Sequence, residues 1–381
     1  MKIFPIVVAV ALVLSAFSAA RAQTPDDAIA LEQQGKLPEA AQAWRAVTAR
    51  NPNDAGAFAS LGVILSKEQK YPEAADAYRK ALALDPKLPG VELNLGLAEF
   101  KQGHFRSAVP PLRLAVKADP SSAQAQTLLG LSYYSTGQFE EAAKSLDPVA
   151  KSDPDNLELH RVLAQSCLWA RNFSCAQEEF HTILEKNPDS AQAHILFGEA
   201  LDGLGRVEEA MAEFEAAAKI SPREPNVHFG LGYLHWKAQQ YDEATKEFNQ
   251  ELSLDPAHAQ ALAYLGDIEW KNNRPDAALL FLDRAKKASD RLRVVYVDQG
   301  AIYMQRKKYK EAQAALLRAV ALDPVQQDAH YQLGRLYQAL GKTDLAKNEL
   351  LKVQKLHKEA EDNLVGKIAA SPPALNSSEE K

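Results

Sequence analysis

A single spacing governs this chain. Prolines stand at positions 52, 86, 120, 154, 188, 222 and 256, each 34 residues after the last; position 290 holds Asp, and Pro324 resumes the series. Glycine keeps the same beat at 62, 96, 130, 198, 232, 266, 300 and 334, with Ala164 in the one remaining slot. Alanine recurs at 40, 74, 108, 142, 176, 210, 244, 278, 312 and 346. Four residues after each alanine comes a bulky side chain: Trp44, Tyr78, Leu112, Leu146, Phe180, Phe214, Phe248, Leu282, Leu316 or Leu350. A proline falls at any given position roughly one time in twenty, so chance does not write this register. Such a period marks a repeat array, in which stacked copies of one small unit bury each other's apolar faces.

Within a unit the residues dictate two helices, A and B. Proline after Asp or Asn ends helix B, because the residue before proline avoids the α region. Small residues at the glycine slot of helix A and the alanine slot of helix B let the backbones approach, and the bulky residue one turn on fills the space beside them. Short turns such as "KYP", "GQF" and "GRV" join the two. The pattern resembles the tetratricopeptide repeat family. That family's unit is a 34-residue helix-turn-helix with a Leu-Gly pair, a small residue early in helix B, an aromatic four later and a closing proline. Leu61-Gly62, Ala74, Tyr78, Ala81 and Pro86 carry all of it.

The resemblance runs from about residue 25 to about residue 360 and implies an all-α chain. The expected architecture is an α-solenoid, a right-handed superhelix of about ten helix-turn-helix units. Residues 23–54 read as an atypical N-terminal repeat, 55–326 as eight consecutive 34-residue units, and 327–370 as the last repeat with a capping helix. The tail at 371–381, "SPPALNSSEEK", is disordered by composition. Three places break the pattern. Pro110 and Pro111 read as first-turn residues of their helix B, where free N–H groups tolerate them. Pro148 lies deeper and is expected to kink its helix or shift its end. Asp290 removes one stop signal, so that helix B is expected to run on or bend.

Residues 1–22 read as a secretory signal peptide: Met1-Lys2, an apolar stretch at 3–19, then the small-x-small site Ala20-Arg21-Ala22. The mature chain is therefore expected to be periplasmic or extracellular, without a membrane span. The competing reading is a retained anchor, against which stand the short stretch and Pro5. A net charge of −6 supplies no electrostatic footprint for nucleic acid.

Catalytic signatures are missing from the sequence. It has no phosphate-binding Gly-Lys-Ser/Thr loop, no Gly-x-Ser-x-Gly elbow and no His-Glu-x-x-His helix. "GLGYLH" at 230–235 holds two glycines, but no strand precedes it and Gly232 is a repeat glycine. The chain is read as non-enzymatic, without cofactor or metal. His160, His194, His228 and His330 share one slot of helix A. Equivalent side chains on packed helices lie roughly 8–10 Å apart, too far to share one ion through bonds of about 2 Å, so packing is favoured over a metal ladder. Cys167 and Cys175 flank one turn in "CLWARNFSC". A disulfide across the hairpin and two buried thiols are the two readings.

Projected onto the family's inward-facing positions, the sequence supplies Phe100, Tyr134, Trp169, Phe229, Tyr233, Trp236, Tyr264, Trp270 and Tyr331. Polar neighbours on that face include Asn94, Gln124, Arg161, Gln165, Glu199, Asp202, Asn226, Asp267 and Arg335. Aromatics beside arginine and amides suit a protein-binding surface, with its centre between Trp169 and Trp270. The resemblance thus implies an interaction scaffold that grips a protein or extended peptide, in bacterial envelope assembly, secretion or polysaccharide export. The alternative is a module that binds polysaccharide directly, with exposed rings stacking on sugars.

Overall fold

The computed structural model of the protein describes residues 24–370, with side chains to residue 359. The expected signal peptide and tail lie outside the described residues. Twenty helices and no strand occur among the described residues. They pair as hairpins, helix A then helix B. The first five are α1 (Pro25–Gln33) with α2 (Leu37–Arg50), α3 (Ala55–Lys67) with α4 (Tyr71–Leu84), α5 (Val91–Lys101) with α6 (Phe105–Ala118), α7 (Ala123–Ser135) with α8 (Phe139–Ser152), and α9 (Leu157–Trp169) with α10 (Phe173–Lys186). The other five are α11 (Ala191–Gly203) with α12 (Val207–Ile220), α13 (Val227–Lys237) with α14 (Tyr241–Leu254), α15 (Ala259–Lys271) with α16 (Pro275–Ala288), α17 (Arg293–Gln305) with α18 (Tyr309–Leu322), and α19 (Gln327–Ala339) with α20 (Thr343–Ala370). The chain is an all-α solenoid. It divides into two compact units, one ending at Pro188 and the other starting at Asp189.

The repeating residues explain the hairpin. The alanines at 40, 74, 108, 142, 176, 210, 244, 278 and 312 are wholly buried, each 0% exposed. Where helix A carries the repeat glycine, the bulky residue four later on helix B packs against it. A methyl group placed on Gly62 would lie 2.5 Å from the Tyr78 ring, and Gly130, Gly232, Gly266 and Gly300 stand in the same relation to Leu146, Phe248, Leu282 and Leu316. Burying each such side chain stabilises by about 1.5–3 kcal/mol. Substituting Gly62→Ala is expected to cost about 1–3 kcal/mol by overpacking, read as faster hydrogen exchange in the α3 and α4 amides.

Helix ends follow local chemistry. Asp54, Ser122, Asn156 and Ser190 cap their A helices by accepting the amide of the third helical residue. Nine B helices, α2 through α18, span 14 residues each. That regularity corrects the run-on expected at Asp290 and the shifted end expected at Pro148. Without its proline, α16 still stops at Ala288: the Arg318 guanidinium and the Tyr296 hydroxyl donate to the Asp290 carbonyl and hold the junction. Pro148 does not shift the end of α8, which finishes at Ser152 like its neighbours. A third expectation also changes, since α6 begins at Phe105. Pro110 and Pro111 therefore lie in its second turn, inside the helix rather than at its start.

A further period is conformational. The residues between A and B at 35, 69, 103, 137, 171, 205, 239, 273, 307 and 341 all have φ between 57° and 77°. Five are glycines; Gln69, Arg171, Gln239, Asn273 and Lys307 hold the same left-handed geometry with a side chain. That conformation costs an ordinary residue roughly 1–2 kcal/mol. Lys307→Gly is expected to stabilise the α17–α18 hairpin by about 0.5–1 kcal/mol, less the entropy glycine loses, measured as slower local hydrogen exchange.

The slot-sharing histidines each engage a glutamate of the same hairpin's helix B. His160 Nδ1 lies 2.6 Å from Glu179, His194 2.6 Å from Glu213, His228 2.7 Å from Glu247 and His330 2.5 Å from Glu349. The Nε2 atoms of His228 and His330 reach the carbonyls of Pro222 and Pro324, each at 3.0 Å. The imidazole thus ties helix A to helix B, and at His228 and His330 also to the end of the preceding repeat. No helix among the described residues is long and apolar enough to cross a membrane.

Candidate functional site

In the first unit, helices A bring three of the expected residues to one open cleft. Phe100 of α5, Tyr134 of α7 and Arg161 of α9 line a cavity of about 720 Å³ with Phe105, Thr127 and Leu159. Phe100 and Phe105 meet edge to face, centroids 5.2 Å apart. The Tyr134 hydroxyl donates to Gln165 Oε1 at 2.6 Å, and Arg161 donates to the same oxygen at 3.3 Å. Arg161 also grips Glu158 through two nitrogens, at 3.0 and 2.6 Å. These bonds fix the rotamers of the cleft wall before any ligand arrives.

Trp169, at the end of α9, stands beside this cleft. It stacks on Tyr134 at 5.5 Å and touches Phe139 at 4.9 Å, yet stays 46% exposed. Its setting is pinned. Cys167 and Cys175 form a disulfide across the α9–α10 turn, with Cα atoms 5.7 Å apart. A closed loop of this size limits the unfolded chain by about 2 kcal/mol.

The second unit holds the other six. Phe229 and Tyr233 of α13 and Tyr264 of α15 line a cavity of about 320 Å³ with Phe214, Glu199 and Asp202. Trp236 is not free to stack on a ligand. Its indole N–H donates to Asp267 at 2.5 Å, Tyr264 packs at 4.8 Å, and the Lys271 ammonium sits 4.4 Å from its ring centre. Trp270, in the same slot one repeat later, is partly buried against a core that includes Leu262, Leu282 and Val295. Tyr331 is 48% exposed, with the Arg335 guanidinium over its ring.

Projection onto the A helices missed some contributors. Phe105, Phe139 and Phe214 belong to B helices, and a helix A template passes over them. Gly230 and Asp298 share one helix A slot, two periods apart, where every other repeat except the first, with Asp26, carries an uncharged side chain. Asp298 is 8% exposed, and one of its oxygens is buried without a hydrogen-bond partner. Burial, then the neighbouring Asp267 carboxylate, raises its carboxyl well above the ordinary aspartate range. Lys271 and Arg293 oppose that shift, and Asp328 adds to it. The folded state therefore keeps a proton that the unfolded chain gives up near pH 4. The associated stability is full below about pH 4 and is lost as pH rises through the folded value. Asp298→Asn, a neutral isostere, should gain stability over the natural chain progressively as pH rises above about 4, in urea titrations followed by tryptophan fluorescence.

Comparison with known proteins agrees with this architecture. A tetratricopeptide repeat model matches residues 26–89, 93–156 and 229–291, and a second such model matches 133–198, 170–231 and 203–251. Further models of the repeat match 300–341 and 327–358. No curated protein matches the sequence. Among solved structures, a chain of the APC/C hetero-tetramer Cut9-Hcn1 is similar at 13% identity, over 87% of this chain and 80% of that one, with a TM-score of 0.54; the likeness is one of fold. A tetratricopeptide repeat protein from Parabacteroides merdae is similar at 17% identity, over 62% of this chain and 93% of that one, with a TM-score of 0.45. MamA is similar at 27% identity, over 43% of this chain and 95% of that one, with a TM-score of 0.39. With the same 34-residue hairpin matched along most of the described chain and built in the structure, the protein belongs to the tetratricopeptide repeat family.

Proposed function

We propose that this protein is a non-catalytic scaffold that holds an extended segment of a partner protein against the exposed faces of its A helices. The observation that carries this reading is the Trp169–Tyr134 stack. A large ring left 46% exposed, yet fixed by stacking and by the disulfide beside it, is the form an interface anchor takes. Preorganisation matters because the scaffold then loses little entropy on binding, and most of the ordering cost falls on the partner. The polar bonds of Arg161, Tyr134 and Gln165 set directional contacts beside that ring.

The proposed setting is the bacterial envelope, in assembly, secretion or polysaccharide export. The reading of residues 1–22 as a signal peptide supports it, and a Cys167–Cys175 bond accords with an oxidising compartment. Trp169 is the informative position because its loss removes an exposed ring and little core. Trp169→Ala is expected to keep the thermal midpoint within a few degrees while weakening capture of a partner protein from the native envelope fraction at least tenfold. Identical sets of proteins captured by Trp169→Ala and the natural chain would end this reading. Saturable tryptophan quenching by glycans, with none by peptides, would instead favour direct polysaccharide binding.

A further inference from the structure

The smaller cleft of the second unit has an unusual lining. Its wall is aromatic: Phe229 and Tyr233 stack with centroids 6.3 Å apart, and Tyr264 meets Tyr233 edge to face at 5.5 Å. At its base position 230 is glycine, which lets the Phe214 ring lie against α13 where a Cβ would strike it. Two carboxylates from one face of α11 complete it, Glu199 and Asp202. They are not equivalent. Asp202 is paired with Lys237. Glu199 has no hydrogen-bond or ion-pair partner among the described residues.

Four physical points narrow the occupant. Ring faces carry negative potential and attract cations. The same ring cluster already seats two of the protein's own, Lys237 at 5.6 Å from the Tyr233 centre and Lys271 at 4.4 Å from that of Trp236. An apolar guest would enclose Glu199 without giving it a partner, which is costly, and an anionic guest would face like charge. The volume of about 320 Å³ sits at the low end for ligand cavities, enough for one long side chain rather than a whole cofactor.

We infer that this cleft receives one cationic side chain, arginine or lysine, from an extended basic segment of the partner. The inference rests on the reading of the A helices as a peptide-binding surface and names the chemistry of the guest. The planar guanidinium fits best, since it stacks on rings and pairs with a carboxylate at once. Although the Glu199 side chain opens to solvent, surrounding protein desolvates it enough to raise its carboxyl above the ordinary glutamate range. A bound cation would reverse that.

Isothermal titration calorimetry of the full chain at physiological salt tests this with three probes: acetyl-hexaarginine amide, its uncharged hexacitrulline counterpart and acetyl-hexaglutamate amide. Hexaarginine is expected to bind at least tenfold more tightly than either of the others. Glu199→Gln should weaken hexaarginine at least fivefold with its thermal midpoint kept or raised, because it replaces an unpaired, partly desolvated carboxyl by a neutral isostere. Glu208→Gln, at the exposed start of α12, removes the same charge elsewhere and should leave binding unchanged. Equal hexaarginine affinity in Glu199→Gln and the natural chain, equally tight hexaglutamate, or no hexaarginine binding overturns the inference. A partner captured through Trp169 but indifferent to Glu199→Gln would overturn the cationic cleft and leave the scaffold reading standing. Hexaarginine held through Glu199, with no partner dependent on Trp169, would do the reverse.

Discussion

The contact between a glycine on one helix and a ring or leucine on the next is what makes this sequence a stack of hairpins. In the eight repeats with that glycine, the bulky side chain of helix B takes the space that a Cβ on helix A would need, with a buried alanine one turn before it. Three residues thus set the distance and the angle of a helix pair. Because the contact lies inside one repeat, each glycine-bearing copy reproduces it without help from distant sequence. The apolar face that remains is what the next repeat covers.

Onto that frame the chain adds polar ties that the core alone does not require. Wherever histidine takes its slot in helix A, glutamate stands nineteen residues on to meet it. Two other buried carboxylates do comparable work. Glu251 accepts the amides of Asn226 and Phe229, each at 3.1 Å, and so caps α13 from the neighbouring helix, compensating for a start that lacks a side-chain cap. Glu99 is gripped by Arg79 and met by His104 at 3.2 Å. Asp298 differs: it has no such partner, and its surroundings favour the neutral acid.

The fold was legible because its determinants are periodic. Proline, glycine, alanine and the bulky slot recur often enough that a single lapse, such as Asp290, cannot hide the unit. What stayed hidden was held by geometry rather than residue type. The left-handed turn position takes Gly, Gln, Arg, Asn or Lys, so no letter announces it. Trp236 and Trp270 share a slot and a residue type, yet one sits under Lys271 in a ring cluster and the other packs, partly buried, against a different set of core residues. A slot specifies a direction from the helix axis; the neighbours decide whether that direction ends in solvent. Pro110 and Pro111 taught the same lesson at a helix start, where the turn residues and not the prolines set the first helical position.

In each unit a helix packs on the next helix or on the one after it. No strand or long loop stitches remote segments together among the described residues. Such a body behaves as a zipper: cohesion passes from neighbour to neighbour, and fraying begins at the poorest junction instead of everywhere at once. Its closing is correspondingly quick, since few loops must be drawn shut before contacts reward them.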